Sequence, residues 1–271
     1  MGTMKRIETI QSLNNPRVKQ WAQLLDKKGR DKQGAFMIEG SHLVKEAFLS
    51  GAEVETVLVS AERGMPAEVE PLVPPDAECV IVSEQVLAKC SDAQTPQSVA
   101  AIVRKSRHEA ERLFEEPNSL VAVIDGVQDP GNLGTIIRSA DAVGATGVVL
   151  GKGTVDLYNP KTVRSTMGSL FHLPVAEGAD LPQLLEKAKS NGIRLINTSL
   201  EASQSCYEAD FTGSVWFVFG NEGKGVSSEI AALINEHMII PMPGKAESLN
   251  VAMAATVLLF EAMRQRRFSK K

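Results

Sequence analysis

The sequence predicts an α/β protein with a parallel sheet in its C-terminal half and a smaller α/β domain in its N-terminal third. From residue 119 onward, short apolar segments alternate with segments of helical periodicity, which is typical of a parallel sheet covered on both faces. The first of these segments, SLVAVID, is almost entirely apolar, as a strand buried on both faces requires. A charged stretch poor in apolar residues separates the two regions. We therefore predict domains at 1–105 and 119–271, joined by a linker at 106–118.

The N-terminal region alternates short helices and short strands. The predicted strands are the segments 35–38, VETVLVS, CVIVS and QSVAAIV, and the predicted helices are 17–26, 41–49 and SEQVLAKCSD. Ser41 is the expected N-cap of the helix at 41–49, since a serine side chain accepts a hydrogen bond from the first helical turn. Together these elements indicate one compact unit of about 100 residues, an ordinary domain size.

The C-terminal region contains the longer series. Its predicted strands are SLVAVID, GVVLG, FHLPV, IRLINTS, SVWFVFG and HMIIP, most of them separated by helical segments. A proline- and glycine-broken loop then leads into a final apolar helix, predicted from about Leu249 to Arg267. Ser248 is its expected N-cap, which would place Asn250 in the first helical turn.

Composition excludes several classes of protein. The chain has 271 residues, is 43% hydrophobic and 23% charged, and contains no run of about 18 apolar residues that could span a bilayer. Its first residues lack the apolar core of a secretory signal. Cys79, Cys90 and Cys206 are scattered, so neither a disulfide framework nor a zinc site is expected. We expect a cytoplasmic protein without a metal and without a membrane partner.

The charge is unevenly distributed. A net charge of −4 argues against a protein that coats nucleic acid non-specifically. Residues 1–50 nevertheless carry nine Lys or Arg against five acids, and the last eight residues carry Arg264, Arg266, Arg267, Lys270 and Lys271. Both ends could contact phosphate, and a solvated helix face with a frayed tail explains them equally well.

Two common nucleotide-binding motifs are absent. Gly151 and Gly153 are followed by Asp156 where a dinucleotide-binding turn has its third glycine. The segment GNEGKGV has Val218 at the first glycine position of a P-loop and Gly225 at its Ser/Thr position. The turn after SLVAVID also matches poorly the glycine-rich turn of Rossmann-type methyltransferases.

Three other glycine-containing loops, 125–134, 220–225 and 241–250, each follow an apolar strand. Ligands of open parallel sheets bind beyond the carboxyl ends of the strands, so the three loops are expected to converge on one site. Glycines there let backbone groups approach a ligand closely. Any one loop could be a simple turn, but that explanation is weak for all three together.

The polar residues in and beside these loops are the candidate site residues: Asn132, Arg138, Glu222, Ser248 and Asn250. Arg138 interrupts an otherwise small and apolar helix, where an unpaired buried guanidinium would be costly. Glu222 lies between the glycines Gly220 and Gly223, a poor setting for a surface salt bridge. These features favour a functional interpretation.

Taken together, the three loops resemble those of the SpoU (TrmH-like) family of RNA ribose 2′-O-methyltransferases, within the knotted SPOUT superfamily. DGVQDPGNLGTIIRSADAVGATGVVL is similar to its first motif, FGNEGKGV to its second and IIPMPGKAESLNVAMAATVLLFEAMRQ to its third. The resemblance covers residues 119–267. Residues 1–105, with FMIEGSHLVKEAF and TPQSVAAIV, are similar to the family's N-terminal RNA substrate-binding domain, of the ribosomal-protein L30-like type.

The resemblance implies a deep trefoil knot of the SPOUT type, a homodimer and S-adenosylmethionine (S-adenosyl-L-methionine) as the methyl donor. By motif position, Gly220, Ile240 and Leu249 line the donor pocket. The neighbouring backbone of Asn221, Met242 and Gly244 is expected to contribute.

The implied reaction needs no metal, because the sulfonium of the donor is already activated. The family assigns Arg138 to the acceptor 2′-hydroxyl, and two versions remain open. Arg138 acts as the base, or it holds a phosphate while the proton leaves to another acceptor. Asn132, Glu222, Ser248 and Asn250 would position Arg138 and the ribose.

The expected partner is structured RNA, with 23S rRNA preferred and tRNA as the alternative. Two other functions stay open. One is a non-catalytic RNA-binding or ribosome-assembly factor of the same fold, and the other is methylation of a base instead of a ribose.

Overall fold

The structure is a computed structural model that describes residues 8–268, and it contains eleven strands in two sheets within that range. Contacts divide the described chain into two units. The first comprises residues 8–106 and 158–171, and the second comprises 107–157 and 172–268. Among the basic residues noted at the chain ends, Lys5, Arg6, Lys270 and Lys271 lie outside the described residues.

The N-terminal elements follow the predicted alternation. In chain order they are β1 (Glu8–Ile10), α1 (Pro16–Ala22), a 3₁₀ turn (Gln23–Leu25), α2 (Lys27–Gln33), β2 (Ala35–Glu39), α3 (Ser41–Leu49), β3 (Val54–Ser60), a 3₁₀ turn (Glu70–Leu72), β4 (Cys79–Val82), α4 (Glu84–Cys90) and β5 (Val99–Arg104). The sequence did not predict β1 or α2. Ser41 is the first helical residue of α3 and not its cap, because Gly40 occupies the cap position with a φ of 98°.

The sheet of the first unit has the order β1-β4-β3-β5-β2. Strands β1, β4 and β3 run parallel, and β5 runs antiparallel to β3 and to β2. Its core lies between the sheet and the helices α1 and α4, around Trp21, Leu58 and Leu87.

The remaining elements are a 3₁₀ helix (Ala110–Phe114), β6 (Leu120–Asp125), α5 (Pro130–Ala142), β7 (Gly147–Gly151), α6 (Pro160–Thr166), a 3₁₀ turn (Ser169–Phe171), β8 (Val175–Ala179), α7 (Leu181–Ser190), β9 (Arg194–Thr198), β10 (Val215–Gly220), α8 (Ser228–Ala231), β11 (Glu236–Met238) and α9 (Val251–Phe268). The strand predicted at FHLPV begins only at its last residue, Val175. The final helix begins two residues later than predicted, at Val251.

The second unit contains a six-stranded sheet in the order β11-β9-β10-β6-β7-β8, and all of its neighbouring strands are parallel. The predicted parallel α/β architecture is therefore confirmed. Val121, Val123 and Trp216 pack with Leu184 and Leu185 of α7 in one buried cluster. The alternate side chains of β6 point to the other face, which is covered by α5 and α9.

The charged stretch predicted as a linker contributes to this core. Ala110 and Leu113 of its 3₁₀ helix are buried, and the ring of Phe114 stacks on Trp216 with centroids 5.1 Å apart. These three apolar residues lie at i, i+3 and i+4, so one turn places them on one face. In the sequence, charged residues surround these three apolar residues, so their periodicity is not evident.

Tyr158–Phe171, which the sequence placed in the C-terminal domain, makes its contacts within the first unit. The ring of Tyr158 lies 4.6 Å from that of Phe36, and its hydroxyl donates to the carbonyl of Ser106 at 2.9 Å. Arg164 of α6 forms an ion pair with Asp92. The chain therefore leaves the second unit after β7 and returns to it before β8. Over residues 8–268 no helix has the length and apolar content that a bilayer crossing requires.

Candidate active site

The three glycine-containing loops meet at the carboxyl end of the parallel sheet, as the sequence predicted. Asn221, after β10, donates its side-chain amide to the carbonyl of Gly126, after β6, at 3.0 Å. The loop before α9 joins them through Asn250, whose Nδ2 donates to Oδ1 of Asn132 at 3.0 Å. Parallel strands end on the same edge of a sheet, so residues about 90 to 120 positions apart become neighbours there.

Glu222 is the centre of this arrangement. Its Oε1 accepts from the backbone N–H of Asp129 at 2.9 Å and from Nδ2 of Asn132 at 3.0 Å, and its Oε2 accepts from the N–H of Gln128 at 3.1 Å. Desolvation acts to raise the pKa of Glu222, but the hydrogen bonds from Asn132, Asp129 and Gln128 outweigh it and lower the pKa. The side chain is therefore an ionised carboxylate that holds the start of α5 in place.

The polar residues before α9 have different roles from those predicted. Oδ1 of Asn250 accepts from the N–H groups of Ala252 at 2.9 Å and Met253 at 3.3 Å, so Asn250 is the N-cap of the helix. The prediction that Ser248 is the cap is wrong, because α9 begins after Asn250. Ser248 instead lines the cavity described below.

The loop between β10 and α8 is a tight turn that needs glycine. Asn221 and Gly225 exchange two backbone hydrogen bonds of 2.9 Å, and Gly225 has a φ of 70°. A Cβ atom on Gly220 would lie 2.1 Å from backbone atoms of Gly225 and Val226, so no larger residue fits without moving the loop. The turn consequently presents bare backbone at the end of β10.

A cavity of about 230 Å³ opens where these loops meet. Its wall combines apolar side chains with a few hydroxyl, amide and carboxylate groups. The lining residues include Val218, Gly220, Asn221, Glu222, Val226, Ile240, Met242, Ser248, Leu249, Val251 and Ala254. An apolar wall with few convergent polar groups is typical of a small-molecule site.

Most of the residues predicted to bind the donor line this cavity, namely Gly220, Asn221, Ile240, Met242 and Leu249. Gly244 lies in the same loop but is exposed and outside the lining. Of the five predicted catalytic residues, Glu222 and Ser248 line the cavity, while Asn132 and Asn250 are connected to it through Glu222.

One part of the wall, formed by Thr198, Ser199 and Leu200 at the end of β9, was not predicted from the sequence. Strand β9 neighbours β10 in the sheet, so the polar residues that follow it reach the same edge. The polar run NTSLEAS, which begins in the last two residues of this strand, was the available signal.

Arg138 is in a different environment from the one expected. Its side chain is exposed, between the buried residues Ile137 and Ser139, and within residues 8–268 it makes no hydrogen bond or ion pair. The argument from the cost of a buried guanidinium is therefore wrong, because Arg138 faces outward. It lies six residues after Asn132 on α5, about 9 Å along the helix axis, and does not line the cavity of its own chain.

The groups at the cavity are suited to aligning two reactants. Among the described residues, no group of three or more His, Cys, Asp or Glu side chains is arranged to hold a metal ion. Glu222 has its oxygens occupied by three donors. The site offers shaped apolar walls, backbone groups and fixed amides, which suit the positioning of two reactants.

Two family models match the chain. Residues 119–260 match the SpoU rRNA methylase family, and residues 15–101 match the MRM3-like substrate-binding domain. Among characterised relatives, the 23S rRNA (guanosine(2553)-2′-O)-methyltransferase RlmP of Bacillus subtilis is 39% identical over 254 residues, covering 94% of this chain and 98% of its own. The 23S rRNA (uridine(2479)-2′-O)-methyltransferase of Streptomyces viridochromogenes is 32% identical, covering 93% of this chain and 91% of its own.

Solved structures agree with these matches. The SpoU methyltransferase AviRb from Streptomyces viridochromogenes, crystallised with its cofactor AdoMet, superposes with a TM-score of 0.86 at 31% identity, over 95% of this chain and 100% of that one. An AdoMet-bound rRNA methyltransferase from Sinorhizobium meliloti gives a TM-score of 0.86 at 32% identity, over 97% of this chain and 99% of that one.

Proposed function

This chain belongs to the SpoU rRNA methylase family, and from that membership we propose which RNA it modifies and which residues do so. It is an S-adenosylmethionine-dependent RNA (ribose-2′-O-)methyltransferase. We propose that its substrate is 23S rRNA. The structural observation that supports methyl transfer is the cavity at the junction of three loops, next to the hydrogen-bonded residues Glu222, Asn132 and Asn250.

The lining of the cavity has the chemical character that we expect of a site for the methyl donor. Its bare backbone at Gly220 and Asn221 offers hydrogen-bonding groups, and Ile240 and Leu249 offer apolar surface. Met242 and the backbone near Gly244 extend the same wall toward the exposed loop. When bound, the donor supplies an activated methyl group on a positively charged sulfur.

The residues around the mouth of the cavity orient the acceptor. Asn132 is fixed on both sides, by Glu222 and by Asn250, so it has a defined position at the start of α5. Ser248 lies on the wall with its side chain exposed. We assign Arg138 to the acceptor ribose, where its guanidinium binds an RNA phosphate and orients the 2′-hydroxyl. A guanidinium donates two parallel hydrogen bonds to a phosphate, so a phosphate clamp is the simpler of the two versions.

We also propose that the chain works as a homodimer with a knotted C-terminal domain. Met253 and Phe260 on α9 are 48% and 41% exposed and lie seven residues apart, so they share one helix face. Ser139, next to Arg138, contacts Thr256 of α9 through their hydroxyls at 2.7 Å, which brings the two helices side by side. A second copy on this surface would bury the apolar side chains and let Arg138 serve the partner's cavity.

The choice of 23S rRNA rests on similarity over nearly the whole chain. The match to a substrate-binding family model at residues 15–101 adds a second domain that a small substrate would not need. A cytoplasmic location, where ribosomal RNA is assembled, is part of this proposal. We propose that residues 1–105 select the RNA, 106–118 connect, and 119–271 catalyse.

Mapping of ribose methylation tests the proposal. Cells with and without the gene are compared by alkaline hydrolysis of their rRNA and tRNA, since a 2′-O-methyl group blocks cleavage at its linkage. We expect one protected linkage in 23S rRNA to disappear. A lost site in tRNA would change the substrate. An unchanged map would contradict ribose methylation and favour a base methyltransferase or a non-catalytic factor.

A further inference from the structure

Two lysines occupy the loops that form the cavity. Lys224 lies in the turn after β10, between the lining residues Glu222 and Gly225. Lys245 lies in the loop before α9, between the lining residues Met242 and Ser248. Each is therefore bracketed in the chain by residues that touch the cavity, and both side chains are exposed.

The backbone at Lys224 is held firmly. Its N–H donates to Oδ1 of Asn221 at 3.0 Å, and the turn around it is closed by the two backbone bonds between Asn221 and Gly225. The ammonium group is carried on a flexible stem that starts from a fixed point at the cavity rim.

Neither lysine has a partner within residues 8–268, since neither forms an ion pair or a side-chain hydrogen bond there. Other cations of the same unit are engaged: Lys152 with Asp180, Arg194 with Glu236 and Arg264 with Glu261.

The acidic residues of the two loops do not neutralise Lys224 and Lys245. The carboxylate of Glu222 is occupied by donors from the loop after β6, and its depressed pKa reflects those hydrogen bonds. Glu247 is exposed and forms no ion pair with Lys245, which lies two residues before it. The rim of the cavity consequently has two uncommitted positive charges.

The acceptor determines what these charges meet. A ribose inside an RNA chain has a phosphodiester on each side, and the 3′ phosphate is attached to the carbon next to the reacting 2′ position. Any ribose that enters the cavity mouth therefore brings two negative charges to its rim. Lysine is a common point-charge ligand for phosphate.

We infer that Lys224 and Lys245 bind the two RNA phosphates that flank the acceptor nucleotide, and so position its ribose. This inference rests on the proposed ribose methylation. The two lysines carry no sequence information, because phosphates are the same in every RNA. They fix the position of the acceptor nucleotide, while other residues select the RNA.

The test uses the full-length protein and the variants Lys224→Gln and Lys245→Gln, singly and together. Lys189→Gln is the charge control, because it removes the same charge from an exposed position of the same unit, on α7, away from the two loops. Unlike the two loop lysines, Lys189 donates a hydrogen bond to the carbonyl of Leu233 at 2.9 Å. Binding of an unmodified 23S rRNA transcript is measured between low and high salt, together with KM and kcat for methyl transfer and the affinity for the donor.

The logarithm of the binding constant falls linearly with the logarithm of the salt concentration. Each loop substitution is expected to make this slope less steep by about 0.7, the value for one single-strand phosphate contact. KM for RNA rises, while donor affinity stays unchanged. Lys224→Arg and Lys245→Arg retain the wild-type slope, which separates loss of charge from loss of loop structure.

A double Lys→Gln variant with the wild-type slope and KM would overturn the inference, as would a Lys189→Gln variant with an equal loss. The salt slope is an equilibrium measurement that does not need turnover. If the wild type binds the transcript but methylates no RNA, the proposed function fails, and the slopes still decide whether the two lysines contact phosphate.

Discussion

Asn250 donates its side-chain amide to Oδ1 of Asn132 across 3.0 Å, while its own Oδ1 caps α9. One side chain thus connects two elements that are 118 residues apart and begins a helix at the same time. The geometry explains why a polar residue stands at the start of an otherwise apolar helix.

The two functions of Asn250 can be separated. Asn250→Asp keeps an oxygen for the cap but loses the donor to Asn132, so we expect normal stability and reduced methyl transfer. Asn250→Ala loses both and should also cost about 1 kcal/mol of unfolding free energy. Urea unfolding and methyl incorporation measure the two effects. Equal activity of Asn250→Asp and the wild type would show that the link to Asn132 is not needed.

Low pH is expected to destabilise the protein through Glu222. Because its pKa is depressed in the folded protein, its contribution to stability is complete above the unfolded-state pKa and is lost as pH falls through the lower, folded value. Glu222→Gln removes this dependence and leaves an amide donor facing the N–H groups of Gln128 and Asp129.

We expect Glu222→Gln to lose about 1 kcal/mol near neutral pH, the net value of one hydrogen bond, and most of the activity. The stability difference from the wild type should shrink in acid. Chemical unfolding at a series of pH values checks this, and a difference independent of pH would contradict the assignment.

Arg138→Ala should abolish methyl transfer and leave donor affinity within about tenfold, or roughly 1.4 kcal/mol. The expectation follows from its exposed position outside the cavity lining. Radiolabelled methyl incorporation and calorimetry with the donor are the two measurements. Turnover close to that of the wild type would refute the role.

Mixed dimers test where Arg138 acts. Leu249→Arg blocks the cavity at a residue that is 39% exposed and lies in a loop, so the variant should fold. If Arg138 serves the partner's cavity, a dimer of one Arg138→Ala chain and one Leu249→Arg chain has one complete site, and mixing two inactive proteins restores activity. If each Arg138 acts at the cavity of its own chain, the mixture stays inactive.

Deletion of residues 1–105 should remove RNA selection, and the structure adds a consequence for the remaining fragment. Tyr158, Arg164 and Phe171 contact residues of the first unit, so the fragment loses their partners. The six-stranded sheet has its own core and should still fold.

We therefore expect trypsin to cut the fragment at Lys161 and Arg164, and to spare these positions in the full chain. Digestion followed by mass spectrometry shows this directly, with the full chain as control. Retained activity of the fragment on 23S rRNA would count against the division of labour between the two regions.

The sequence alone determined most of the elements and the edge of the sheet at which the three loops meet. Apolar strands such as β6 and β10, uninterrupted and separated by helices, can be satisfied only in a parallel sheet buried on both faces. Loops after such strands must share one edge, so Asn132, Glu222 and Asn250 could be grouped before any distance was known.

The tertiary structure decided what depends on contacts between distant segments. The cap of α9 is Asn250 and not Ser248, because the hydrogen bond to Asn132 and the start of the helix are fixed together. Arg138 faces outward, because the covered face of α5 is formed by Leu133, Ile136, Ile137 and Ala140. Residues 158–171 join the first unit through Phe36 and Asp92, and no local pattern records a partner more than 60 residues away.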